Sequence, residues 1–140
     1  MEYYFAPMEG ITGAEYRAVH HRHFPGVDRY YMPFIAPTQD RVFTPRELRN
    51  ISPERNAGYR AVPQLLTKNA GDFNWAAGEL FAMGYDEVDL NLGCPSGTVP
   101  AKGKGAGMLA DLEGLDRFLD GIFSAARGKI SVKTRLGLRD

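Results

Sequence analysis

Short apolar runs alternate along the chain with stretches in which apolar residues recur at helical spacing. That alternation predicts repeated strand-helix units around a parallel sheet, an α/β fold. An aromatic run over 3–6 closed by Pro7 forms the first strand, and 13–23 is a helix ended by Pro25 and Gly26. A second strand falls at 29–32. From 33 to 59 the chain carries Pro33, Pro37, Pro45 and Pro53 among mixed charges, which reads as an excursion holding one short helix rather than a linker. Residues 61–66 make a third strand. The helix over 69–83 puts Phe73, Ala76, Ala77, Leu80 and Phe81 on one face and stops at Gly84. In 87–92, Val88, Leu90 and Leu92 alternate with Glu87, Asp89 and Asn91, a fourth strand that runs into Gly93, Cys94 and Pro95. Asp111 then caps a helix with the stripe Leu112, Leu115, Phe118, Leu119, Ile122, Phe123 and Ala126, closed by Gly128, and 130–136 is a fifth strand.

The composition narrows the partners. Of 140 residues, 44% are apolar, enough for a core, and 17 Lys+Arg balance 17 Asp+Glu. A net charge of +0 gives no global field to attract a polyanion, so contact with nucleic acid depends on a local patch. The single cysteine cannot form an internal disulfide, and no signal peptide or long apolar span is present, which predicts a cytoplasmic location and no membrane partner.

In parallel α/β folds the loops beyond the carboxyl ends of the strands build the active site. The special residues of this chain cluster at those ends: Pro7, Met8 and Glu9, then Gln64, then Asn91 to Pro95, then Lys133 and Arg135. Residues two apart in a strand share a face, so Asp89 and Asn91 point together, as do Lys133 and Arg135. Pairing of Asp89 with Lys133 or Arg135 is the ordinary structural reading, while the functional one keeps Lys133 charged to meet an anionic ligand group. Cys94 reads either as a small buried hydrophobe or, because Gly93 and Pro95 fix a turn facing the mouth of the fold, as a general acid. His20, His21 and His23 crowd one helix and read as surface residues, and no second cysteine completes a metal site. The run 102–107, with Lys102 and Lys104 among glycines, lacks the spacing of a nucleotide-binding loop and reads as a solvated loop or as a grip on an external phosphate backbone.

Three motifs carry a family resemblance. The run from Ala6 through Pro7, Met8, Glu9, Gly10 and Ile11 to Thr12 is one. Asn91-Leu92-Gly93-Cys94-Pro95 followed by Lys102 and Gly105-Ala106-Gly107 is the second, and Val132-Lys133-Thr134-Arg135-Leu136-Gly137 the third. With Gln64 between them, the chain resembles the tRNA-dihydrouridine synthases. The resemblance implies an FMN-dependent reductase on an eight-stranded TIM barrel, with NADPH as reductant and tRNA as substrate. It implies that Pro7, Met8 and Glu9 border the flavin, that Gln64 and Lys133 bond its ring, and that Asn91 and Arg135 lie near flavin or uracil. It further implies that reduced FMN gives hydride to C6 of uridine, that Cys94 protonates C5, and that Lys102 and Lys104 hold phosphates flanking an extruded base.

Such proteins are more than twice this length. The resemblance therefore casts residues 1–140 as the N-terminal portion of the flavin-binding barrel, about five strand-helix units, without the last barrel strands or the helical tRNA-binding domain. Open sheet edges then predict self-association. Two other readings remain: a flavin-dependent reductase of a free pyrimidine, similar to dihydroorotate dehydrogenase, and a noncatalytic fragment.

Overall fold

A computed structural model describes residues 1–137 of the chain. Its elements run β1 (Tyr4–Phe5), α1 (Ala14–His23), β2 (Arg29–Tyr31), α2 (Pro45–Ile51), β3 (Ala61–Val62), β4 (Gln64–Leu65), α3 (Ala70–Ala82), β5 (Glu87–Leu92), α4 (Thr98–Ala101), α5 (Leu112–Phe123) and β6 (Lys129–Thr134), with 3-10 turns at Glu54–Asn56 and Gly105–Ala110. The strands pair in parallel in two three-stranded sheets, β1-β2-β3 and β4-β5-β6. The fold is α/β with the parallel order of part of a TIM barrel, and the barrel is not closed.

The run 61–66 is divided by Pro63, which has no N–H to give to a ladder. Before it, Tyr30 and Tyr31 face Ala61 and Val62; after it, Gln64 and Leu65 face Asp89 and Leu90. The Pro63 carbonyl still accepts from the Asp89 N–H at 2.8 Å. Ile35 bridges the gap on the other side, donating to the Gln64 carbonyl and accepting from the Leu66 N–H, each at 2.8 Å. One path of chain therefore serves both sheets.

The helices begin and end for local reasons. Asn69 accepts from the Asp72 N–H and Asp111 from the Gly114 N–H, capping α3 and α5. Thr44 and Glu47 form a reciprocal capping box at α2, the short helix of the excursion. The core lies between β5 and the helices: Val88, Leu90 and Leu92 pack with Phe73, Ala76, Ala77 and Leu80 of α3 and Phe118 and Ile122 of α5. The α5 stripe is narrower than the sequence implies, because the helix stops at Phe123, and both Leu112 and Phe123 are exposed.

Two further contacts tie the excursion down. Arg17 is fully buried and donates to the Thr12 carbonyl at 2.7 Å, to Asn50 Oδ1 at 3.2 Å and its carbonyl at 2.9 Å, and to Asn56 Oδ1 at 2.7 Å. The Tyr85 hydroxyl, pushed up to about 12 by burial, donates to the Ile51 carbonyl at 2.6 Å. The histidines depart from the surface reading. His20 packs among Phe5, Tyr16 and Phe24 with Nδ1 2.9 Å from the Tyr30 hydroxyl, and His21 lies against Tyr30 and Tyr59. Only His23 is exposed, because adjacent positions 20 and 21 both fall on the side of α1 that meets the aromatic residues of the sheet.

At the N-terminal edge of the strands, the fully buried Glu87 carboxylate receives Lys129 Nζ at 3.0 Å, Arg29 at 3.1 Å and Arg60 at 3.3 Å. Burial opposes its charge, but hydrogen bonds from Lys129 and Ser131 and the charges of Lys129 and Arg29 outweigh that and hold the carboxyl below its usual range. Its folded value lies below its unfolded one, so its stabilisation is present above the unfolded value and lost as pH falls through the folded one. Glu87→Ala leaves Lys129 without its carboxylate and Arg29 and Arg60 with only Glu2 and Asp86, and should cost about 1–3 kcal/mol in urea unfolding at neutral pH, with the gap to wild type closing in acid.

Candidate active site

The carboxyl edge of β4, β5 and β6 holds a ladder of polar side chains. Register pairs Asp89 with Ser131 and Asn91 with Lys133, so these residues share the face away from the helices. Ser131 Oγ donates to Asp89 Oδ1 at 2.8 Å and Gln64 Nε2 donates to Asp89 Oδ2 at 2.6 Å. Asn91 Nδ2 donates in turn to Gln64 Oε1 at 2.8 Å, and Asn91 Oδ1 accepts from the N–H groups of Gly93 at 3.2 Å and Cys94 at 2.9 Å. The direction of every bond is set from both ends. Backbone N–H groups can only donate to Asn91, and an ionised Asp89 can only accept, so both amides are locked in one orientation.

Asp89, Gln64 and Asn91 are all buried. Burial pushes the Asp89 carboxyl above its usual range, against the pull of its Gln64 and Ser131 hydrogen bonds and of the Lys133 charge. Among the described residues no ion pair joins Asp89 to Lys133: hydrogen-bond donors satisfy the aspartate, and the cations beside β5 gather on Glu87 instead. Lys133 is left exposed with its ammonium available, and Arg135 lies half-buried beyond the end of β6.

Cys94 is half-buried at the turn that leaves β5. Its carbonyl accepts from the Ala106 N–H at 3.2 Å, which draws the lysine-glycine segment back over the thiol's own residue. The approach is close: a methyl group on Gly105 would lie 2.9 Å from Val99 and 3.1 Å from the Cys94 carbonyl, and one on Gly107 would lie 2.6 Å from the Pro100 carbonyl. Gly103 and Gly105 also have positive φ, 65° and 54°, which favours glycine. The segment is therefore an ordered lid of α4 and a 3-10 turn carrying Lys102 and Lys104, not a loose loop.

Pro7, Met8 and Glu9 follow β1 on the same edge of the strands. Met8 N–H donates to Thr12 Oγ1 at 2.9 Å, the Met8 carbonyl accepts from the Ile11 and Thr12 N–H groups at 3.1 and 3.0 Å, and Arg17 holds the Thr12 carbonyl from below. Glu9 faces Arg46 of α2 at 3.7 Å. Among the described residues no hydrogen bond connects this segment to the ladder. Sequence reasoning overlooked Ser131, although its place between Lys129 and Lys133 on one face of β6 was a usable signal, and overlooked Lys68, whose position depends on tertiary packing alone.

Replacing Asn91 by alanine removes the acceptor for two N–H groups and the donor to Gln64. The expected loss is about 1–3 kcal/mol in denaturant unfolding, with faster amide exchange at Gly93 and Cys94; unchanged exchange there means the ladder does not hold the turn.

The comparisons with known proteins agree on one family. The chain is 32% identical over 143 residues to a tRNA-dihydrouridine(16) synthase of Ralstonia nicotianae, covering 96% of this chain and 43% of that protein. It is 27% identical over 135 residues to a probable tRNA-dihydrouridine synthase 1 of Synechocystis, covering 96% of this chain and 37% of that protein. A shorter match, 44% identical over 59 residues, relates it to a probable tRNA-dihydrouridine synthase of Staphylococcus epidermidis. The chain thus spans less than half the length of the first two relatives. The model of one family, described as dihydrouridine synthase (Dus), matches residues 4–140, and the chain belongs to that family.

Proposed function

We propose that the chain carries the proton donor and the ring-facing part of a flavin site for reducing uridine in tRNA to 5,6-dihydrouridine, with FMN as cofactor and NADPH as reductant. The observation that carries this reading is the ladder in which Asn91 bonds both Gln64 and the Cys94 N–H, with Lys133 in register beside Asn91. The residues suit a flavin. Gln64 and Asn91 each use one amide N–H within the ladder and keep a second, and N–H donors are what the carbonyl oxygens of an isoalloxazine or uracil ring need. Lys133, on the same face as Asn91, supplies the positive charge that favours a reduced, anionic ring.

When bound, FMN supplies the hydride that goes to C6 of the uracil. Cys94 holds the proton that completes the reduction at C5, and the Asn91 bond to its N–H sets the position of its Cα and hence of Sγ. Pro7, Met8 and Glu9 would border the ring from the β1 side, where Thr12 and Arg17 keep their backbone in place. Arg135 extends the cationic side past Lys133. Lys102 and Lys104, in the lid over Cys94, favour a polyanion over a free pyrimidine base, which has no phosphates for them to hold.

The test is to supply FMN, NADPH and unmodified tRNA and to quantify dihydrouridine by nuclease digestion and mass spectrometry. Cys94→Ala should keep flavin absorbance and lose about 10²–10⁴-fold in single-turnover reduction. Reduction at the wild-type rate by that variant would overturn the acid role, and an FMN spectrum and fluorescence unchanged on titration with the chain would overturn the flavin site.

A further inference from the structure

We propose that Lys68 is a third phosphate contact beside Lys102 and Lys104, so that an RNA strand reaching Cys94 passes across the end of β4 toward α3. This rests on the tRNA reading above and adds the path of the strand.

Lys68 lies just past β4, a long way in sequence from the lid. The two meet at Gly103: a methyl group there would sit 3.4 Å from Lys68 Nζ and 3.8 Å from its Cδ. The lysine stem thus lies against a glycine flanked in the chain by Lys102 and Lys104. Lys68 and Lys102 are exposed, and Lys104 is half-buried. Among the described residues no carboxylate lies within ion-pair reach of any of the three, whereas six other cations have one. Glu87, Glu2 and Asp86 serve Arg29, Arg60 and Lys129; Glu9, Glu15 and Glu113 serve Arg46, Arg55 and Arg117.

Bringing three ammonium groups together without an acid raises their mutual repulsion, and a bound anion relieves it. Two different loops, after successive strands β4 and β5, contribute the charges. A strand of phosphodiesters can offer each ammonium its own phosphate. Contacts of this kind position a strand without reading its sequence, and each releases a counterion on binding.

The test is lysine footprinting. The chain is acetylated briefly with and without unmodified tRNA, and with NADPH alone, and each lysine is read by mass spectrometry. Lys129, held by Glu87 at the opposite ends of the strands, is the reference. Protection of Lys68 together with Lys102 and Lys104 by tRNA is the expected result. Protection of Lys102 and Lys104 without Lys68 overturns the proposal and leaves the tRNA reading standing, while protection of none of the three overturns both. Protection of Lys68 by NADPH and not by tRNA overturns it in favour of a nucleotide site. In a second measurement, Lys68→Gln should weaken tRNA binding at low salt and reduce the slope of log affinity against log salt by about one, with an unchanged unfolding midpoint. An unchanged slope also overturns the proposal.

Discussion

A strand buried on both faces leaves no room for an unpaired polar group, and β5 carries three polar side chains that must each be paired. All six of its residues are buried, with Val88, Leu90 and Leu92 toward the helices and Glu87, Asp89 and Asn91 away from them. Each polar residue needs a partner, and the partners come from both neighbouring strands and from beyond. Glu87 draws in Lys129, Arg29 and Arg60; Asp89 takes Ser131 and Gln64; Asn91 takes Gln64 and the turn at Cys94. The order of the strands and the direction of the site's hydrogen bonds thus answer one demand.

Charge is graded along that strand. At its start a carboxylate is surrounded by cations, an arrangement that secures the sheet and has no open side. Midway a carboxylate is satisfied by neutral donors. At its end an amide oxygen accepts from two backbone N–H groups, those of Gly93 and Cys94. The proposed site lies at that end, where Gln64 and Asn91 each use only one amide N–H within the ladder. The excursion between β2 and β3 serves the same edge from the other side, since Arg17 links Asn50 and Asn56 to Thr12 and so to the turn at Met8.

Much of this was legible in the sequence because it followed from period. The alternation in 87–92 fixed which side of β5 faces the site, and the stripe in 69–83 fixed the helix that covers it. Asn69 and Asp111 are caps whose chemistry is local. What was not legible depended on contacts between distant residues. Residues 61–66 read as one strand, but the missing N–H of Pro63 divides the pairing between two sheets. Charge alone offers Lys133 as a partner for Asp89, whereas the buried carboxylate takes its hydrogen bonds from Gln64 and Ser131. The histidines read as surface residues because they crowd one helix, although adjacent positions on a helix can both face inward when aromatic residues wait there. The lid over Cys94 held two short helical turns that a run of glycines and lysines conceals.

The lid separates two properties that most loops mix. Its course is set by glycines: Gly105 and Gly107 have no space for a side chain, and Gly103 and Gly105 need left-handed backbone. Its charge is set by Lys102 and Lys104, whose side chains do not determine that course. Mutation can therefore alter the lysines without disturbing the fold above Cys94, whereas a change at the glycines deforms it. A site built this way can retune its affinity for a partner by small surface changes while the chemistry beneath stays constant, so related chains can diverge in what they grip before they diverge in what they do.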